Sequence, residues 1–253
     1  MAAELQTIPL LNLATIFVPV AVVIIVLFRW SLGGLNAIYS VGRMALQLAL
    51  IGFLLTSIFN SDNPWLLILV LGVMVAAASW IALGTVEALR LQLYSRALVA
   101  ILLCGGSVLW LVIQLVLAES LYSPRVVIPL AGMIFAGAMN SVSLAAERMQ
   151  AELKLGQPHQ VARNAAMQTA MIPVINSMFA VGLVSLPGMM TGQILSGVSP
   201  LIAARYQVVV MCMLFGASGM ATALFLKLAL PLVSVTRTCR QVEEDGYEST
   251  QHD

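Results

Sequence analysis

The residues best suited to chemistry are few in this chain, and they stand apart. There are only two histidines, His159 and His252, so a zinc site or a His-based catalytic centre is hard to build. Cys104, Cys212 and Cys239 form no CxxC pair and no even-numbered disulfide framework, and two of them fall in apolar runs where a buried thiol packs as a small hydrophobe. The sequence holds no GxxxxGK[ST], no HExxH and no GxSxG, so it offers no phosphate-binding loop, metalloprotease pair or nucleophile elbow. The chain is therefore not expected to be an enzyme. Whatever work it does must be driven by a partner or by a gradient.

The chemistry that remains is that of neutral donors. Asn140, Ser143 and Glu147 fall at i, i+3 and i+7, on one face of a helix, with Met139 at its border. Polar groups in hydrocarbon must find partners within the protein. Hydrogen bonding between helices and a lined substrate path both explain such a face. Asn176, in the next apolar segment, is a further path candidate. Beyond it runs Leu186-Pro187-Gly188-Met189-Met190-Thr191-Gly192-Gln193, where Pro-Gly predicts a turn and Gly192 another irregular position. Met189 and Met190 would be soft, weak ligands there, or would simply fill packing gaps. The nature of any metal is left open.

A third group sits at a helix end. From Ala145 the chain continues in a helical pattern through Glu147, Arg148 and Glu152 to Lys154, with Arg148 and Glu152 spaced i, i+4 on what reads as a solvated face. Gly156-Gln157-Pro158 breaks that helix, and Pro158 can start another through Val161, Ala162, Ala165 and Ala166. The alternatives are an interfacial hairpin and a docking element for a soluble partner, and the second is favoured.

The elements that must hold these residues are membrane helices. Of 253 residues, 60% are hydrophobic and 9% charged, and mean hydropathy is +0.98. A soluble domain usually carries about 45–50% apolar and about 25% charged residues. The expected fold is an all-α integral membrane protein. A helix needs about 20 apolar residues to cross the hydrocarbon, and such runs fall near 10–28, 42–59, 66–85, 98–117, 126–144, 171–187 and 207–230, about seven spans. The second and sixth are short or broken and could be partly re-entrant. Pro9, Pro64, Pro124 and Pro173 read as lying at or just inside helix starts, and Trp30, Trp65, Tyr94, Tyr122 and Tyr206 as interfacial aromatics. The membrane domain is residues 1–236, with the cytoplasmic element at about 145–170. Residues 237–253 read as a solvated, frayed tail.

Ten of the twelve Lys and Arg residues fall on one side of these spans, and only Arg125 and Arg205 on the other. The ten belong in the cytoplasm, which puts the N-terminus outside and the C-terminus inside. Glu87, Glu147 and Lys227 come nearest the core, all close to the cytoplasmic boundary. With no titratable group at mid-membrane, a proton-coupled carrier is disfavoured. The scattered basic residues make no patch for nucleic acid. No internal repeat stands out, although Asn140-Ser141 and Asn176-Ser177 recur.

Several segments resemble the FetB family of ABC permeases. They are Gly132-Met133-Ile134 through Asn140-Ser141-Val142-Ser143-Leu144, then Ile172-Pro173-Val174-Ile175-Asn176-Ser177-Met178. The most specific is Val184-Ser185-Leu186-Pro187-Gly188-Met189-Met190-Thr191-Gly192-Gln193-Ile194-Leu195-Ser196-Gly197, followed by Ala203-Ala204-Arg205-Tyr206-Gln207. The family includes bacterial iron exporters and the membrane subunits of plant aluminium-tolerance transporters. The resemblance covers most of the chain and is dense from about 126 to 230. It implies a permease that pairs with a separate ATP-binding cassette subunit, with ATP and Mg on that partner and no cofactor on this chain. It also implies a cytoplasmic coupling helix, which 145–165 could supply through Glu147, Arg148 and Glu152. In one place the chain departs from the family. A Gly-Asn often precedes the Met-Asn of span five, whereas here Ala136-Gly137 stands there.

The expectation is thus a permease in the cytoplasmic (inner) membrane of a bacterium, working as a homodimer with its ATPase. It would export a metal ion, iron first, along Met139, Asn140, Ser143, Asn176, Met189 and Met190. Its rivals are an ATPase-independent channel or carrier, and a non-transporting scaffold that recruits a soluble partner.

Overall fold

The computed structural model describes residues 9–59, 63–117 and 123–249, with side chains to residue 229 apart from 10, 11, 56, 57 and 59. Tyr122 and His252 lie outside the described residues, as do the side chains of 237–249. The chain forms two compact units.

The first unit holds α1 (Leu10–Thr15), α2 (Phe17–Arg29) and α3 (Gly34–Phe59). The turn between α2 and α3 closes through Ser31 N–H to Phe28 O at 3.1 Å and Leu32 N–H to Leu27 O at 2.9 Å. Gly33 takes φ +73°, and a Cβ on residue 34 would stand 2.6 Å from the Phe28 ring, so both positions need glycine. The second predicted run is a full helix of 26 residues, not a short one. Asn36, Ser40 and Arg43 lower the local hydropathy, which shortens the apolar run in the sequence, but they do not break the helix, which starts at Gly34. Ser40 Oγ, for example, donates back to Asn36 O at 2.7 Å.

The second unit begins with α4 (Pro64–Ala82), where the Asn63 side chain accepts the Trp65 N–H at 3.0 Å. After a 3₁₀ turn at Glu87–Leu89 comes a rod from Arg90 to Val116. It consists of α5 (Arg90–Ala100), a π turn at Ile101–Gly105, α6 (Gly106–Leu111) and a second π turn at Val112–Val116. Arg90 ties the rod to α4. Its Nη2 donates to Trp80 O at 2.7 Å, and its guanidinium lies 3.9 Å over the Trp80 ring. Tyr94, expected at an interface, is half-buried edge-on to Trp80, centroids 5.7 Å apart. Then follow α7 (Pro124–Lys154), α8 (His159–Ala180), α9 (Gly188–Leu195) and α10 (Pro200–Ser249). The backbone helix of α10 therefore enters the segment that reads as a tail.

Helix α7 is the centre of this unit, packed against α4, α8 and α10. Small residues let the backbones come close. Ala162, Ala166 and Ala170 are fully buried along one face of α8. Gly105 approaches α7 so closely that a Cβ there would meet the Phe135 ring at 3.0 Å.

Among the described residues, six helices are long and apolar enough to span a membrane. The sixth predicted run, carried by α8, does not qualify, because Arg163, Gln168, Thr169 and Asn176 dilute it. Two local expectations also change. Pro173 lies well inside α8, not at a helix start, and Gly192 is helical within α9. The irregular backbone falls at Gly182 (φ +82°) and Gly197 (φ +90°).

Direction along the bundle comes from α7 and α10. Residues 125–133 of α7 and 206–210 of α10 line one cavity, while Gly137 faces Leu214 and Ser218. Both numberings rise together, so the two spans run the same way. The chain between them must return across the same thickness. Helix α8, at 22 residues or roughly 33 Å, is long enough to do so.

Candidate functional site

Helix α7 is continuous from Pro124 to Lys154, so Asn140, Ser143 and Glu147 do share a face. That face points away from the core of its unit. Asn140 and Glu147 are exposed, and Met139 and Ser143 are half-buried. Their neighbour Ser141 is the buried one, at 2% exposure. Asn176 is exposed on α8. Met189 and Met190 sit in the first turn of α9, and the structure does not bring them beside Met139 or Asn140.

At the hairpin, the helix break falls where the sequence puts it, with Gly156 at φ +83° and Pro158 capping α8. The expected pair forms, with Arg148 Nη2 2.5 Å from Glu152 Oε1. It does not lie on a solvated face, however. Glu152 is buried, while Arg148 is half exposed. Glu147 and Arg148 therefore remain open to a partner, and Glu152 instead holds Arg148. At the tip, Leu155 is 76% exposed and Val161 48%.

Between α7 and α10, at the end opposite the hairpin, lies a cavity of about 390 Å³. Met133, Met189, Pro129 and Val210 help to line it, with Arg125 and Tyr206 among its few polar groups. Of the expected path residues, only Met189 reaches it. A guanidinium beside the thioethers repels a bare cation, so this chamber is poorly suited to holding one.

The sequence reading missed a set of oxygens on α10. Gln207 Oε1, Ser218 Oγ and Thr222 Oγ1 are buried without a hydrogen-bond partner, in residues no more than 5% exposed. A step of 100° per residue puts 218 about 20° and 222 about 60° from 207 around the helix, all on the core-facing side. Each unpaired buried polar atom costs about 1–3 kcal/mol. Nothing in the local sequence marks Ser218 beyond its small neighbours Gly216, Ala217 and Gly219. Among the described residues no group of three His, Cys, Asp or Glu side chains could hold a metal ion.

This is an all-α, multi-pass membrane protein, with neutral oxygens inside its larger unit and a charged helical hairpin at one end. It belongs to the family described as "Uncharacterised protein family (UPF0014)", whose model matches residues 9–232. A UPF0014 membrane protein of Synechocystis is 36% identical over 223 residues, covering 78% of this chain and 83% of its own. The "Protein ALUMINUM SENSITIVE 3" of Arabidopsis thaliana is 32% identical, covering 83% of this chain and 81% of its own. The "Probable iron export permease protein FetB" of Escherichia coli is also 32% identical, over 74% of this chain and 77% of that protein. No solved structure matches the chain.

Proposed function

We propose that this chain is the permease subunit of an ABC transporter that exports a metal ion, iron first, with ATP hydrolysed by a separate subunit. The observation that carries the proposal is the hairpin. At 31 residues α7 is roughly 46 Å long, well beyond the roughly 30 Å of hydrocarbon. Its last turns therefore project from the bilayer, together with the start of α8. The projection is anchored by buried Ala145, Ala146, Met149 and Ala162 yet presents Leu155 and Val161 to water. Apolar side chains held out on a rigid tip suit a socket on a soluble partner.

The relative named as a probable iron export permease supports the cargo and direction. In this reading the chain contributes no catalytic site, and ATP and Mg bind the partner. Two copies work together in the cytoplasmic membrane, and the bias of ten basic residues to one side of the spans supports a cytoplasmic hairpin. ATP-driven closure of the partners moves the hairpin, which tilts α7 and α8. The test is co-purification: the affinity-tagged chain should bring down a P-loop ATPase, and ATP should drive iron out of cells or into inverted vesicles. Isolation of an active transporter without any ATPase would reject the proposal.

A further inference from the structure

We infer that the cavity between α7 and α10, at the end opposite the hairpin, holds an anionic phospholipid of the leaflet on that side, its phosphate on Arg125 and Tyr206 and one acyl chain in the chamber. The inference goes beyond the export proposal and does not depend on which cargo is moved.

The chamber has a charged mouth and an apolar floor. Gly137 on α7 faces Leu214 and Ser218 on α10, and the two helices run the same way. Twelve residues back along each helix stand Arg125 and, on α10, positions 202–206, so Arg125 and Tyr206 are level with each other at the mouth. From Arg125 to Met133 the lining of α7 runs eight residues, roughly 12 Å, toward the middle of the membrane. Met133 and Val210 stand at the deep end, and apart from Arg125 and Tyr206 every lining side chain is apolar. Two of the walls depart from regular α-helix, as binding-site walls often do: Pro129 lies inside α7, and Val112 starts the second π turn.

The mouth calls for an anion. Arg125 is exposed and has no carboxylate partner among the described residues, where the ion pair is Arg148 with Glu152. The described carboxylates, Glu87, Glu147 and Glu152, all lie toward the hairpin. Glu87 does so because the rod that follows it runs antiparallel to α7, with Gly105 against Phe135 and Val112 on the cavity. Arg125 also stands in the first turn of α7, where the helix dipole adds positive potential. A guanidinium can fork onto two phosphate oxygens, and a tyrosine hydroxyl can donate to a third. Among anions beside a membrane span, a phospholipid is the one whose other half matches an apolar chamber. At about 390 Å³ the space lies near the lower end of ligand pockets, which fits one chain of a lipid and not the whole of it. That chain passes from hydrocarbon to hydrocarbon and gains little, so the headgroup sets the preference. A headgroup with no ammonium of its own is favoured beside the arginine.

The test uses the full chain in neutral detergent, titrated with phosphatidylglycerol or phosphatidylcholine and read as the rise in Tm. Phosphatidylglycerol should act at several-fold lower concentration. Arg125→Gln should move its titration about tenfold to higher lipid, as loss of a charge-assisted contact does, and leave that of phosphatidylcholine in place. Arg125→Lys, which keeps the charge, should move it less. Met189→Trp adds bulk to the chamber wall from a side chain that is 38% exposed, and it should weaken the response to both lipids. If that variant folds poorly, Tyr206→Phe, which removes only the hydroxyl, should weaken the phosphatidylglycerol response alone. Wild type that responds equally to the two lipids overturns the inference, and so does Arg125→Gln that titrates like wild type. Inorganic phosphate that stabilises as well as phosphatidylglycerol would make the mouth a site for free anions and reject the lipid.

Discussion

Glu152 is buried on α7 while Arg148, one turn earlier, is half exposed, and their charged atoms approach to 2.5 Å. Removing the arginine strands a buried carboxylate. Arg148→Ala should therefore destabilise the chain by about 1 kcal/mol, discounted for the solvent that screens the guanidinium. That corresponds to about 2–4 °C in Tm for a chain of this size. Adding Glu152→Gln should restore part of the loss in the same thermal melt, and a further drop would show that the pair is not the stabilising contact. The glycines make a second residue-scale comparison. At Gly105 a new Cβ meets the Phe135 ring at 3.0 Å, whereas at Gly216 nothing lies within 4 Å. Gly105→Ala should lower Tm, since α5, α6 and α7 must shift to admit it. Gly216→Ala, within α10 and with open space around it, should raise stability by up to about 1 kcal/mol. If both glycines respond alike, the close approach at 105 is not what fixes that residue.

The helix break at 156–158 was legible in the sequence because glycine and proline act locally, through φ and the missing N–H. Burial was not legible, because it depends on which neighbour arrives. The i, i+3, i+7 spacing of Asn140, Ser143 and Glu147 correctly puts them on one face. Only the packing of α8 and α10 on α7 decides that this face looks away and that Ser141 looks in. The unpaired oxygens of α10 were hidden for the same reason, since serine and threonine are ordinary residues in an apolar run. Glu152 teaches the converse lesson. It reads as solvated by type, but it is buried and paired with Arg148, so the charge reversal at Arg148 and Glu152 that would otherwise probe docking also disturbs folding. The better probe of docking is the tip. Leu155→Ser touches a side chain that is 76% exposed, so it should leave Tm within about 1–2 °C of wild type, as surface changes do. It should also weaken ATPase co-purification several-fold. Undiminished capture with Leu155→Ser and Val161→Ser together would mean that the hairpin tip is not the docking element.

At the scale of the whole molecule, the number of crossings decides which end faces which compartment. Six helices qualify as spans by length and composition. An even count would put both ends of the chain on one side. The parallel course of α7 and α10 argues otherwise, because two neighbouring spans can run the same way only if the chain between them crosses back. Helix α8, at 22 residues, is long enough for that crossing despite Arg163, Gln168 and Asn176. Its alanine face lies buried in the unit, and its polar residues are concentrated toward the hairpin half. A crossing by α8 predicts that the hairpin at Lys154 and the turn at Val184 lie on opposite sides of the membrane, and both positions are open to a reagent, Val184 being 85% exposed. In a cysteine-free background, Lys154→Cys should react with an impermeant maleimide only from the cytoplasmic side, and Val184→Cys only from outside. The basic residues predict which side is which, and the helix directions predict that the two sites differ. Labelling of both from the cytoplasm would make α8 re-entrant and the crossings six. Labelling of 154 from outside would invert the molecule and remove the hairpin from any cytoplasmic ATPase.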